Sequence, residues 1–348
     1  MARKPPNLLQ FTFKEALLTA VCCVAEGACV RDPENPLVCL AAVLADTRSF
    51  SVLGGQPGRP RSLGSVFAAA AIRFIGCSMR PFQWPQYHHR VIDVNVCPSF
   101  SGLAVTCDGS RLLLSVMYKH QLHVLRASDG AYLEIIGDKG AGQLQFLYPC
   151  QVWVSDDDFV FVVEALGRRV QVLTPRLAFH AFIGDESTLH EPHGVCASAE
   201  DVFVADLLAR CVVVFRRGDG SFTRRFSHDR LCQPCGLAFT GVQRHVLVAD
   251  GSQFVTTFRE TGDVVERVQV DRFVGFVVSV ACSACDELVT VSCDSYCDYG
   301  ALEIWHSDPW KRALVDHDHA FRAVTMRNNT VYAYAYNKAN VSHIFVYE

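Results

Sequence analysis

The sequence predicts an all-β chain folded as a β-propeller, and three observations carry the prediction. Residues 136–173 run through a Gly-rich loop, Phe146, Pro149, an apolar run, an acidic turn at Asp156-Asp157-Asp158 and two further apolar runs. β-Branched and aromatic residues suit a pleated, half-buried surface, while Gly, Asp and Ser tolerate chain reversal, so this stretch reads as a three-strand meander. The same phrase returns at 191–195, 202–206 and 211–215, and again at 233–237, 246–250 and 254–258. The spacing is regular: Pro149, Pro192 and Pro234 lie 43 and 42 residues apart, and the acids that end the second run, Glu164, Asp206 and Asp250, lie 42 and 44 apart. A period of roughly 40–50 residues built from short strands is the mark of propeller blades.

A Gly-rich loop, a Phe, Pro-x-Gly-Val, a strand ending Val-Ala-Asp, then an Arg and an apolar strand together resemble the NHL repeat. The likeness is strongest over residues 136–174, 191–215 and 233–258. It implies a six-bladed β-propeller, a fold that hosts both binding proteins and metal-dependent enzymes, so it leaves function open.

Taken in order, residues 1–90 form an N-terminal extension and 91–348 the propeller. Residues 16–25 have the composition of a buried helix with Gly27 as a stop, which makes the extension irregular and partly helical. Residues 54–64, rich in Gly, Pro and Arg, read as a linker, and 65–77 as either a helix or a buried strand. Residues 90–96 alternate cleanly and are expected to complete the last blade, so that no sheet edge stays open. Blade one then covers 101–105, 112–116, 122–125 and 131–136. Blades two to four are the repeats above. Blade five is degenerate (275–280, 287–291, 302–305), and blade six covers 321–325, 330–334 and 342–347.

With 348 residues the chain is long enough for one propeller and its extension. The net charge is −4, and arginines are interleaved with acids, which disfavours a nucleic-acid surface because such a surface needs clustered cations. Most of the 16 cysteines sit singly in apolar runs, as Cys196 and Cys211 do, where a reduced Cys acts as a small hydrophobe. The expectation is a reducing compartment such as the cytoplasm. Arg3, Lys4 and Lys14, with no acid before Glu15, give a weak case for mitochondrial import. No apolar run reaches the roughly 20 residues of a membrane span, and a monomeric propeller is expected.

Aligning the copies puts one residue per blade at the position that follows the anchor proline in blades two to four: Ser101, Cys150, His193, Cys235, Val274 and Arg322. First strands line the central channel, so these residues are expected to ring one mouth. Cys150, His193 and Cys235 are zinc-ligand types, and three protein ligands plus water describe a catalytic zinc. Among NHL-like propellers, the peptide-amidating lyases look similar here in carrying zinc on histidines after blade prolines. Only His193 matches that pattern, and Cys150 and Cys235 depart from it. The plainer reading is that small residues are needed where six strands converge.

Other clusters are weaker. Cys282, Cys285, Cys293 and Cys297 suggest a four-cysteine zinc site, but at ~3.3 Å per residue an intervening strand separates Cys285 from Cys293 by about 26 Å. Cys232 and Cys235 have redox spacing without the helix N-terminus that would lower a thiol pKa. Asp316-His317-Asp318-His319 suits either a metal or a solvated loop. Glu164 with Arg168, and Asp206 with Arg210, recur at one repeat position and are read as intra-blade ion pairs.

The expected function is therefore a non-catalytic scaffold, without cofactor, that binds a macromolecular partner, a protein, through its loop faces. The alternatives are a zinc-dependent lyase or hydrolase at the channel mouth, and a single-stranded RNA-binding propeller.

Overall fold

The computed structural model describes residues 89–94, 100–240, 243–270, 275–283, 287–293, 300–307, 310–316, 319–336 and 341–347. The chain divides into two units, Met1–Gln83 and Trp84–Glu348, and the described residues all belong to the second. The helix expected at 16–25, the linker at 54–64 and the segment 65–77 lie outside them.

Six four-stranded antiparallel sheets make a six-bladed propeller. The first strand in the chain, β1 (His89–Val94), belongs to the last blade. Blade one is β2 (Phe100–Val105), β3 (Arg111–Val116), β4 (Gln121–Arg126) and β5 (Tyr132–Ile136). Blade two is β6 (Pro149–Val154), β7 (Val160–Glu164), β8 (Arg169–Leu173) and β9 (Phe179–Ile183). Blade three is β10 (Pro192–Ala197), β11 (Asp201–Asp206), β12 (Cys211–Arg216) and β13 (Phe222–Phe226). Blade four is β14 (Gly236–Phe239), β15 (His245–Ala249), β16 (Phe254–Arg259) and β17 (Val264–Gln269). Blade five is β18 (Phe276–Cys282), β19 (Leu288–Cys293), β20 (Gly300–Ser307) and β21 (Trp310–Asp316). Blade six is β22 (Ala320–Arg327), β23 (Thr330–Tyr336), β24 (Ser342–Tyr347) and β1, which pairs with β24 through Arg90–Val346 and Ile92–Ile344.

Each first strand packs on the next, β2 on β6 and so on to β22, which returns to β2. The hydrophobic core is correspondingly six separate wedges, one between each pair of blades. Period-two alternation feeds two wedges from one strand. On β3, Leu112 and Leu114 enter the blade six–one wedge with Ile92, Val94 and Tyr334, while Leu113 enters the blade one–two wedge. On β11, Val202 and Val204 face blade two, while Phe203 and Ala205 face blade four. Middle strands are buried on both faces, which is why they read as continuous apolar runs; each such side chain contributes about 1.5–3 kcal/mol. The outer strands β5, β9, β13 and β17 are largely exposed.

Candidate functional site

A one-residue register slip recurs at the start of the first strands. In β10 the pairing steps from Pro192–Asp206 to Gly194–Ala205, so that His193 has no cross-strand partner. The same slip leaves out Ser101 in β2, Val278 in β18 and Arg322 in β22, and in β6 it falls between Pro149 and Val152. Such a bulge re-aims a side chain. Ser101, Cys150, His193, Cys235, Val278 and Arg322 all line one cavity of about 460 Å³ at the channel mouth. Val274 lies outside the described residues. Blade five has no anchor proline, and its bulge falls at Val278.

The ring cysteines are thiols turned onto the backbone. Cys235 Sγ lies 3.4 Å from Val277 O and 3.5 Å from Ala249 O, and Cys150 Sγ lies 3.6 Å from Tyr148 O. Burial pushes both pKa values up to about 12. His193 places Nε2 3.5 Å from Glu191 Oε1; burial lowers its pKa and Glu191 opposes that shift, with the net direction down. Metal binding by Cys requires thiolate. Among the described residues, no three His, Cys, Asp or Glu side chains converge to hold a metal ion, and Cys150, His193 and Cys235 share the cavity without forming such a group.

The other cysteines are likewise separate. Among the described residues, Cys107, Cys150, Cys196, Cys211, Cys232 and Cys235 are thiols outside any disulfide, and Cys232 is exposed. Cys282 pairs with Leu288 and Cys293 with Phe276, which places them at opposite ends of β18 and β19; Cys285 and Cys297 are not described. Within the acidic cluster, His317 and Asp318 are not described, while the His319 ring lies tilted against Phe345 with ring centroids 4.5 Å apart. Thiol alkylation at pH 8 checks this picture. With a pKa near 12, about 10⁻⁴ of Cys150 and Cys235 is thiolate at that pH, so peptide mapping is expected to find Cys232 labelled first and those two spared.

Gln151 occupies the position next to the ring. Its Oε1 accepts from Val195 N–H at 3.1 Å and Leu237 N–H at 3.0 Å, and its Nε2 donates to Leu237 O at 2.7 Å. One side chain therefore ties the first strands of blades two, three and four. Blades one, three and four have glycine here, and a Cβ on Gly102 or Gly194 would stand 2.5 Å from Cys150 O or 2.7 Å from Cys235 O. The signal was present in the sequence, since Pro149-Cys150-Gln151 departs from Pro192-His193-Gly194 and Pro234-Cys235-Gly236. Elsewhere the ring is stitched by Ser101 Oγ to Pro149 O at 2.9 Å, by Ser115 Oγ to Cys150 O, and by Val324 N–H to Ser279 Oγ at 3.1 Å.

Two of the repeat acids, Glu164 and Asp206, hold the loops that lead into blades two and three. Glu164, Asp206 and Asp250 are completely buried. Glu164 accepts from Leu147 N–H at 2.9 Å and pairs with Arg169 at 2.8 Å, and burial nevertheless raises its pKa. Asp206 accepts from the N–H groups of His190, Glu191 and Ala209 at 2.6, 3.1 and 3.0 Å. Asp250 pairs with Arg267 at 3.0 Å. The expected ion pairs to Arg168 and Arg210 are therefore replaced. Arg169 stands cross-strand from Glu164, whereas Arg168 and Arg210 take left-handed turn conformations, with φ of 50° and 54°.

Those turns join the second and third strands at the same end as the bulges, and Leu207 N–H donates to the lead-in residue Glu191 at 3.0 Å. In blades one, two and three each turn lifts one large apolar side chain into solvent. Tyr118, Leu166 and Leu208 are 68%, 65% and 64% exposed, and each is followed two residues later by His120, Arg168 or Arg210 in the left-handed conformation. Tyr118 also lines the cavity and stands edge-on to Tyr148, with ring centroids 5.4 Å apart. Across the mouth, Arg322 donates to Tyr336 Oη and lies 5.0 Å over its ring.

No protein-family model matches the chain, and no curated protein does so either. Among solved structures, hydrazine synthase of Kuenenia stuttgartiensis is similar with a TM-score of 0.52 at 14% identity, over 73% of this chain and 80% of that one. Staphylococcus aureus virginiamycin B lyase, in a catalytically inactive form with Quinupristin, gives a TM-score of 0.53 at 10% identity, over 75% of this chain and 100% of that one. A streptogramin B lyase gives 0.52 at 9%, over 74% and 86%. At such identities the likeness establishes the six-bladed propeller fold and nothing finer.

Proposed function

We propose that this chain is a non-catalytic, NHL-like propeller that binds a protein partner through the face bearing the channel mouth. The observation that carries this reading is the crown of Tyr118, Leu166 and Leu208, large apolar side chains held in solvent at one position of three consecutive blades. Tyr118 lines the cavity, Leu166 and Leu208 stand at the equivalent turns of the next two blades, and loops on a rigid frame are where specificity is kept. The ring chemistry supports binding over catalysis, because the two ring cysteines are high-pKa thiols hydrogen-bonded to carbonyls. Single-stranded RNA would favour aromatic platforms on which bases stack, whereas blades two and three present leucines.

The test is affinity capture from the protein's own cells, comparing the full chain with a Leu166→Glu/Leu208→Glu variant. Both positions are exposed, so the fold is expected to persist. A partner held by the parent chain and lost by the variant supports the reading. Equal recovery by both chains contradicts it.

A further inference from the structure

We infer that the free edge of β9, the outer strand of blade two, takes an extended apolar segment of another protein as a fifth strand, with alternate side chains of that segment entering the cleft beside blade three. The site is separate from the mouth face, and the two bind different partners.

β9 (Phe179–Ile183) pairs with β8 alone, and among the described residues no backbone hydrogen bond reaches it from any other element. An unpaired edge presents a row of N–H and C=O groups that another strand can take, and proteins blunt such edges with charge or proline. Each of the other five outer strands carries a charge: Arg90 in β1, Glu134 in β5, Arg225 in β13, Glu266 in β17 and Lys311 in β21. Phe179-His180-Ala181-Phe182-Ile183 has no Lys, Arg, Asp, Glu or Pro. Its Phe182 is 38% exposed, with the Arg169 guanidinium 3.9 Å over the ring.

A cleft of about 520 Å³ runs along this strand. Four consecutive residues of β9, His180 to Ile183, line it with Phe159 and Phe161 of β7, and the β12–β13 turn, Arg217 to Gly220, lines it from blade three. The charged groups of the cleft are engaged within the protein: Arg217 pairs with Asp157 at 2.5 Å, and Asp219 Oδ1 accepts from Ser221 N–H at 3.0 Å. A Cβ added at Gly218 would meet nothing within 4 Å, so the turn leaves open space beside the edge. Successive side chains of an added strand point to opposite faces. One set lies in the cleft beside Phe159 and His180 and the other against Phe182, so both sets are apolar.

The occupant is a flexible segment and not a second copy of this chain. A five-residue edge falls far short of the roughly 20–30 residues a side that stable interfaces between folded proteins use. A segment, by contrast, both pairs with the edge and fills the cleft, its main chain supplying affinity and its alternate side chains specificity.

The experiment is selection of phage-displayed random twelve-residue peptides on the full chain, with binders to a Phe182→Glu variant removed in each round. Fluorescence anisotropy then follows the most enriched sequence as a labelled synthetic peptide. Enrichment of runs of Val, Ile, Thr, Phe or Tyr without Pro is expected. Phe182→Glu puts a charge on the exposed edge, and affinity should fall about tenfold. Gly218→Val fills the open space at the turn and should also weaken binding, while Leu166→Glu/Leu208→Glu should leave it unchanged. Circular dichroism melts of each variant separate lost recognition from lost folding. A series of peptides N-methylated at alternate residues uses the parent chain alone. Methylation in one phase should abolish binding and in the other preserve it, because only one set of N–H groups faces β9.

Binding that responds equally to methylation in both phases would overturn the strand pairing. Peptides lost with Leu166→Glu/Leu208→Glu would belong to the mouth face, overturning this site and leaving that one standing. No enrichment would overturn it too, and a dimer of the free chain abolished by Phe182→Glu would overturn it in favour of a second copy.

Discussion

Asp206→Ala is expected to lower the stability of the propeller by about 3–4 kcal/mol. The carboxylate is completely buried and accepts three backbone N–H groups, those of His190, Glu191 and Ala209. Leaving a buried donor without an acceptor costs about 1–3 kcal/mol, and bonds to a charged acceptor lie toward the top of that range. His190 and Glu191 are partly reached by solvent, which keeps the sum below three full penalties. For a domain of this size the loss corresponds to roughly 10 °C in melting temperature. Asp206→Asn keeps an acceptor oxygen but turns an amide toward the remaining N–H groups, so about half the loss is expected. Thermal unfolding of both variants checks the order. A melting temperature unchanged in Asp206→Ala would mean that the lead-in loop is held by something other than this carboxylate.

Gln151→Ala is expected to cost about 2–3 kcal/mol, although the residue touches no wedge of the hydrophobic core. Its amide satisfies Val195 N–H, Leu237 N–H and Leu237 O on the first strands of two other blades. Because Gln151 also lines the cavity, water can replace part of what is lost, which limits the penalty. Gln151→Gly reproduces the residue of blades one, three and four and is expected to lose as much, since what matters is the amide. Gln151→Glu keeps the acceptor toward the two N–H groups but cannot donate to Leu237 O when ionised, and should fall between. Urea denaturation at constant m-value reports these differences directly. A stable Gln151→Ala would show that the three blades are fixed by wedge packing alone.

Much of the fold was legible because the middle strands are buried on both faces. Runs such as Val202-Phe203-Val204 and Val212-Val213-Val214 have no solvent side, so they stand out as uninterrupted apolar segments between turn residues. The outer strands were less visible for the opposite reason. Phe222-Thr223-Arg224-Arg225-Phe226 is mostly exposed, and β21, opening Trp310-Lys311-Arg312, carries no apolar run until its end.

At the site, Ser101, Cys150, His193, Cys235 and Arg322 were legible because their position recurs with the repeat, and in all but blade four a bulge in the first strand falls there. Blade five was misplaced by four residues: Phe273-Val274 resembles the Phe100-Ser101 and Phe321-Arg322 pairs of blades one and six, whereas the bulge falls at Val278. The partner of Glu164 was misread by one residue. Arg168 takes the left-handed turn position, while Arg169, the first residue of β8, faces Glu164 across the ladder. Gln151 and the crown were overlooked because attention to residue types that ligate metals passes over an amide and three turn-tip apolar residues. A polar side chain where sister blades have none, and apolar tips repeated in turns, are the physical signals that mark them.

The central claim is that the turns of blades one to three form the binding face. Hydrogen–deuterium exchange of the full chain with and without its captured partner tests it most directly. The account predicts slowed exchange in residues 117–120, 165–168 and 207–210, with the outer strands β5, β9 and β13 unchanged. Protection confined to those outer strands, with the three turns exchanging as in the free protein, would contradict it.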